Sequence, residues 1–174
     1  LPPHSFLQAS GEGETVLVNR VQAFLEGARA IADLFAGLGT FSLPLARGAR
    51  IHAVEQDAPA LAALADAARK TKGLKPLATE RRDLFKLPLT PLELNRFDAV
   101  VLDPPRAGAE KQVRALAASK LKRIAYVSCD AASFARDTAI LTKAGFRAGT
   151  ILLVDQFLYS DHIELVGGTD RPAG

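Results

Sequence analysis

Cys129 is the only cysteine among 174 residues, and it closes an apolar run, Ile124 to Cys129, just ahead of a helical segment that begins near Ala132. A helix N-terminus there would stabilise a thiolate nucleophile. A lone cysteine is more often a packing residue than a nucleophile, and the run alone leaves both readings open. Asp103-Pro104-Pro105-Arg106 follows another apolar run and presents an acid on a loop stiffened by two prolines. His162 and Glu164 stand two apart and so share one face of a strand, with Ile163 and Leu165 on the other. For His162 a structural histidine is at least as good a reading as a functional one, and His4 and His52 show no obvious partner. Gly37 and Gly39, in Asp33-Leu34-Phe35-Ala36-Gly37-Leu38-Gly39-Thr40-Phe41, allow a tight turn and close backbone approach before a helix. Glu55 lies 18 residues after Gly37, a spacing at which an acid accepts hydrogen bonds from a ribose diol. The third glycine of a dinucleotide fingerprint is missing, which favours a nucleoside-type cofactor without a pyrophosphate.

These residues need a frame that brings them together. Seven β-rich runs are legible: Ile31–Phe35, Ile51–Glu55, Pro76–Ala78, Ala99–Asp103, Ile124–Cys129, Thr150–Val154 and Ile163–Val166. Several are almost wholly apolar, as in strands buried on both faces of a parallel sheet. Between them, Leu17, Val21, Phe24 and Leu25 form one helical stripe, and Leu61, Leu64, Ala65 and Ala68 another. Further helices are expected from Phe41, Glu110 and Ala132. The alternation predicts an α/β fold with a doubly wound, mostly parallel seven-stranded sheet. The last two runs are too close for a helical crossover and should form an antiparallel hairpin at the sheet edge. In such sheets a ligand sits beyond the carboxyl ends of the strands, where the Gly37–Gly39 turn, Glu55, Asp103 and Cys129 fall.

Composition sets the outer limits. About 48% of the residues are hydrophobic and 24% charged, an ordinary globular mixture that excludes disordered and collagenous classes. A net charge of +3 permits a polyanionic partner without requiring one. Lys70, Lys72, Lys75, Arg81, Arg82, Lys120, Lys122 and Arg123 are candidates for phosphate contacts, or simply for solvated surface. One cysteine cannot build a disulfide within the chain or a four-thiolate metal site, and no metal is expected. No apolar run approaches membrane-spanning length and no signal-peptide pattern opens the chain, so a cytoplasmic, monomeric protein is the expectation. The chain holds no methionine. Residues 1–174 therefore read as a single catalytic domain belonging to a longer protein.

Taken together, in order along nearly the whole chain, these segments resemble the RNA 5-methyluridine methyltransferase family. Phe6-Leu7-Gln8 is similar to the start of its catalytic domain, Asp33–Phe41 to its cofactor loop, and Ala53-Val54-Glu55 to its ribose-binding acid. Asp103-Pro104-Pro105-Arg106 resembles the signature after strand four. Ser128-Cys129-Asp130 with Phe134-Ala135-Arg136-Asp137 resembles the nucleophile segment, and Asp155-Gln156-Phe157 through His162-Ile163-Glu164 the closing motif. The resemblance implies a Rossmann-like class I methyltransferase that uses S-adenosylmethionine to methylate C5 of a uridine in structured RNA, rRNA or tRNA. It also implies that the Cys129 thiolate adds to uracil C6 and that Glu164 later removes the C5 proton. Gln8, Phe35, Gly37, Gly39, Thr40, Glu55, Asp83 and Asp103 fall at positions that resemble those around the cofactor and the uracil. Thr40 and Asp130 depart from the family's usual Asn, and a carboxylate beside Cys129 is expected to oppose thiolate formation. Two other classes compete: an amino-group methyltransferase, which needs no thiol, and a catalytically weak S-adenosylmethionine- and RNA-binding module.

Overall fold

The computed structural model describes residues 11–155 and 163–172. Its seven strands form one sheet in the order β3-β2-β1-β4-β5-β7-β6. They are β1 (Ala30–Leu34), β2 (Arg50–Glu55), β3 (Leu77–Arg81), β4 (Ala99–Leu102), β5 (Arg123–Ser128), β6 (Arg147–Asp155) and β7 (Ile163–Asp170). The first five pair in parallel, whereas β7 runs antiparallel to both β5 and β6. Reversal of the order between β1 and β4 makes the topological switch point at which ligands of open α/β sheets bind.

Among the described residues α1 (Gly11–Phe24) precedes β1, and five helices connect the strands: α2 (Ser42–Leu45), α3 (Ala58–Lys70), α4 (Pro91–Leu94), α5 (Glu110–Ala118) and α6 (Ala131–Lys143). Side-chain alternation along the central strands feeds two cores. Ile31, Ile51, Ala53, Val101, Val127 and Val166 pack on one face with Leu17, Val21, Leu25 and Leu64. Ala32, Leu34, Val100, Leu102, Ile124, Tyr126 and Leu165 pack on the other with Val113, Leu116, Phe134 and Leu141. Burial on both faces is why these strands carry nearly unbroken apolar runs.

Three strands exceed the runs legible in the sequence, each for a local reason. At the sheet's open edge, β3 has Ala78, Thr79 and Arg81 exposed, so it needs no apolar run. The β6–β7 hairpin extends back to Arg147 and out to Asp170 through backbone pairing across Gly167 and Gly168. Phe24 occupies the space where a Cβ on Gly168 would lie, and Phe134 crowds that of Gly167. The glycines that would end a strand by propensity are here the sites where aromatic rings press against the sheet. The short α4 has no apolar period to announce it. Its signal is the capping box of Thr90 and Glu93, with a proline opening the first turn.

Candidate active site

The alternation that fills the first core also sorts the polar residues at the carboxyl edge. Glu55 follows Ala53 by two residues, Asp33 follows Ile31, Asp103 follows Val101 and Cys129 follows Val127, so each falls on the face of that core. Glu164 precedes Val166 by two on β7. Ser128 pairs with Leu165, and one further step of that antiparallel register sets Cys129 opposite Glu164. Along the sheet the order is therefore Glu55, Asp33, Asp103, Cys129, Glu164. Four inter-strand steps span roughly 19 Å. The acids and the thiol form a stepped line rather than a level row: Asp33 pairs with Ala53 and Val101, two residues deeper than Glu55 and Asp103, and Cys129 lies two residues beyond the level of Asp103.

At the β2 end the row is rich in donors. Glu55 accepts backbone N–H bonds from Gly37 at 3.0 Å, Gln56 at 2.7 Å and Asp57 at 3.0 Å. The loop that delivers Gly37 is tightly folded. Phe35 takes φ of 63°, a left-handed conformation costly for an aromatic residue. Its ring packs against Phe85, centroids 5.2 Å apart. Gly37 and Gly39 also have positive φ, and a Cβ on Gly39 would collide with Leu64, so the turn lies flat against α3. Thr40 closes the turn, partly exposed. Asp83, beyond β3, accepts the N–H groups of Phe85 at 3.0 Å and Lys86 at 3.3 Å. The Lys86 ammonium beside it, with these donors, holds its carboxyl below the usual range.

Asp33 is fully buried. Its Oδ2 accepts the Ser42 hydroxyl at 2.6 Å, and its buried Oδ1 has no hydrogen-bond partner among the described residues. Burial, aided by the nearby Glu55 charge and resisted by Ser42, pushes its pKa up to about 7. Asp33 enters the sequence pattern only as the start of the Asp33–Phe41 loop, although an acid inside the otherwise apolar run Ile31–Phe35 is itself a signal.

The thiol end differs again. Burial first, then the charges of Glu164 and Asp103, push the Cys129 thiol up, while Arg106 pulls it down. Burial, Glu164 and Asp33 also drive the Asp103 carboxyl well above its usual range. The expectation for Asp130 is corrected. Its carboxylate turns into the helix it starts, capping α6 by accepting the Ser133 N–H at 2.7 Å. The carboxylates that oppose the Cys129 thiolate are the distant-in-sequence Glu164 and Asp103.

Gln8 and His162 lie outside the described residues, as does most of the closing motif. Among the basic candidates, Arg82 is corrected: its guanidinium bonds Glu93 at 2.8 Å and Glu80 at 3.1 Å, nearly buried, and is a structural tie rather than a phosphate contact. Lys70 pairs with Asp66 on α3. Lys120, Lys122 and Arg123 gather with Arg29 around a cleft of about 500 Å³ at the amino ends of the strands, opposite the acidic row.

A mostly parallel seven-stranded sheet with an acid-lined carboxyl edge is the frame of class I methyltransferases. It superposes, for example, on magnesium protoporphyrin IX methyltransferase from Synechocystis with a TM-score of 0.70 at 19% identity, covering 92% of this chain and 81% of that one. The tRNA (uracil-5-)-methyltransferase family description matches residues 3–167, and the chain belongs to that family. It is 51% identical to an uncharacterized RNA methyltransferase of Rhizobium meliloti over 98% of this chain and 41% of that protein. It is 39% identical to the 23S rRNA (uracil(1939)-C(5))-methyltransferase RlmD of Chromohalobacter salexigens over 99% of this chain and 36% of that one. The Pyrococcus abyssi tRNA (uracil-54, C5)-methyltransferase, solved with S-adenosyl-L-homocysteine, superposes with a TM-score of 0.82 at 30% identity, covering 97% of this chain and 41% of that one. The chain thus spans about two fifths of the length of these relatives.

Proposed function

We propose that this chain is the catalytic domain of an S-adenosylmethionine-dependent methyltransferase acting on C5 of a uridine in structured RNA, rRNA or tRNA. The observation that carries the reading is the register of β5 on β7. It sets a thiol opposite a carboxyl group at the end of the row, with Asp103 on the neighbouring strand.

The row fits the cofactor by charge. Acidic groups on the β2–β3 flank, Glu55 and Asp83, whose carboxyl is held low, suit a cationic ligand and would repel a pyrophosphate. Glu55 would hold the ribose diol; Gly37, Gly39 and Thr40 would follow its backbone-facing side; Phe35 and Asp83 would border the adenosine; Gln8 completes the family set. When bound, the cofactor supplies an electrophilic methyl carbon on a sulfonium.

The chain's own residues supply the rest. Uracil C5 is a weak nucleophile. The Cys129 thiol gives up its proton to solvent and the thiolate sulfur bonds to C6, so that the electron pair of the C5–C6 double bond becomes available at C5 to take the methyl group. Glu164 then accepts the C5 proton, the C5–H pair re-forms the double bond, and the C6–sulfur bond breaks to release the thiolate, which takes up a proton again. Burial that keeps the thiol protonated at rest also protects it from adventitious alkylation. Phosphates of the RNA find their complement in Arg29, Lys120 and Lys122, while Arg123 donates to the Glu26 carbonyl.

The test is intact-mass analysis of the full-length protein with S-adenosylmethionine and a 5-fluorouridine RNA. Fluorine cannot leave as a proton does, so a covalent protein–RNA species carrying one methyl group is expected, and Cys129→Ala should form none. Methylation of a non-fluorinated RNA by Cys129→Ala would instead assign amino-group chemistry.

A further inference from the structure

Asp137 has no part in the chemistry above, yet both of its carboxylate oxygens are engaged. It is wholly buried on α6. Its Oδ2 accepts the Tyr126 hydroxyl of β5 at 2.7 Å and the Ala109 N–H at 2.9 Å. Its Oδ1 takes the Arg136 guanidinium, Nε at 2.9 Å and Nη2 at 2.8 Å. Arg136 Nη2 in turn donates to the Ala107 carbonyl at 3.1 Å. Gly108, with φ of 72°, lies so close that a Cβ there would stand 2.5 Å from Arg136 Nη2 and 2.7 Å from Asp137 Oδ2.

These bonds join three pieces. Ala107–Ala109 is the far end of the loop that begins at Asp103, and Pro104 and Pro105 stiffen the near end so that a fixed far end constrains the whole. Tyr126 stands three residues before Cys129 on β5, and α6 starts immediately after Cys129. Arg106, midway along the loop, is the cation whose field lowers both Cys129 and Asp130.

We infer that Asp137 is a positioning residue: one buried carboxylate that clamps the Asp103–Ala109 loop to α6 and β5, holding Asp103 and Arg106 in register with Cys129. The inference rests on the proposed function for its rate effect, but not for its structural readouts. Asp137→Asn is nearly isosteric and cannot satisfy the site. Whichever way the amide turns, an N–H faces either Arg136 or the Ala109 N–H.

The experiment compares parent, Asp137→Asn and Gly108→Ala in the full-length protein. Gly108→Ala pushes the loop off from its own side and leaves α6 intact. Both should lower the first-turnover methylation rate at saturating RNA and cofactor by about 10²-fold, the cost of misplacing reacting groups by an ångström, while the S-adenosylhomocysteine Kd stays within about threefold. Amide exchange at Ala109 should accelerate by at least about tenfold, with β1 and β2 amides unchanged. The iodoacetamide–pH profile of Cys129 should move to higher pH as Arg106 drifts away. A merely structural role would weaken cofactor binding along with the rate. If Asp137→Asn does not fold, Gly108→Ala carries the test alone. Protected Ala109 exchange with an unmoved thiol profile in a folded variant overturns the clamp. A parent that methylates no RNA overturns the proposed function instead, and the exchange and alkylation results still decide the clamp.

Discussion

Glu55 and Asp103 are both acids at the carboxyl ends of parallel strands in one sheet, on either side of β1, and their surroundings differ in kind. Around Glu55 the chain turns three backbone N–H groups inward. Asp83, on the same flank, has two such groups and an ammonium, and its carboxyl is held low. Towards the centre the donors run out. Asp33 has one hydroxyl and Asp103 is crowded by burial and by other acids, and both carboxyl groups are pushed up. Residue type does not set the chemistry of an acid here; burial raises Asp33 and Asp103, while an ammonium and backbone donors hold Asp83 low. The donor-rich flank suits charged recognition of a diol. The donor-poor centre and the thiol beside it suit groups that hold or move protons.

The largest test of that division falls on Glu164. Glu164→Gln should lower turnover by about 10²–10⁴-fold, the usual contribution of a general base. Addition and methyl transfer precede the lost step, so a methylated covalent adduct should accumulate on a denaturing gel. Turnover at the parent rate with no adduct would remove Glu164 from that role and leave Asp103 as the nearest carboxyl able to fill it.

Asp33 tests the centre through stability. Its pKa is raised from 3.8 to about 7 in the folded chain. Between those values the native state holds a proton that the unfolded state has released, so unfolding free energy should fall as pH rises from 4 to 7 and level off above. The loss is at most about 4 kcal/mol, and Asp103 acts in the same direction. Asp33→Asn cannot ionise and should flatten much of that slope in urea titrations at pH 5 and 8. A parent stability that climbs over the same range would show that Asp33 is charged at neutral pH and that the centre is not donor-poor.

Much of this was legible before any coordinates. The apolar runs gave the central strands because burial on both faces demands them, and the short spacing before Ile163 required an antiparallel hairpin. The carboxyl-edge rule then collected Glu55, Asp103 and Cys129 from positions far apart in the chain, and the family resemblance added Glu164. What the sequence could not display was register and orientation. Adjacency along the chain placed Asp130 beside Cys129, but β-strand alternation and the helix cap turn that carboxylate away, while β7 brings Glu164 to the thiol. Arg82 looked like free surface charge until Glu80 and Glu93 closed on it. The β3 edge and the Gly167–Gly168 stretch lacked strand propensity, because backbone pairing and two phenylalanine rings hold them.

On the donor-rich flank, Glu55→Ala should weaken S-adenosylmethionine binding by about 1.5–3 kcal/mol, the worth of hydrogen bonds to a charged group. Isothermal titration reads it directly. NAD serves as the control, because a carboxyl-lined edge should disfavour its pyrophosphate. Tighter binding of NAD than of S-adenosylmethionine would mean that the flank is built for a different ligand. An unchanged affinity in Glu55→Ala would mean that the three N–H groups orient the loop and not the diol.

The smallest effect is the most discriminating. If proximity in sequence governed the thiol, Asp130→Asn would move Cys129 alkylation to lower pH, because a neighbouring negative charge would vanish. In the structure Asp130 spends its charge on the α6 cap, where the Ser133 N–H and Arg106 hold its carboxyl low, and it is absent from the causes that raise the thiol. Asn caps a helix about as well as Asp, so the fold and the start of α6 should be unaffected. The alkylation profile of Asp130→Asn should therefore overlay the parent's. Glu164→Gln, by contrast, removes a charge set opposite the sulfur and should carry the profile to lower pH. Measured side by side with iodoacetamide, the two variants separate field from sequence neighbourhood. A shift in Asp130→Asn as large as that in Glu164→Gln would mean that the capping carboxylate faces the thiol after all, and that the β5–β7 register is not what sets the nucleophile's environment.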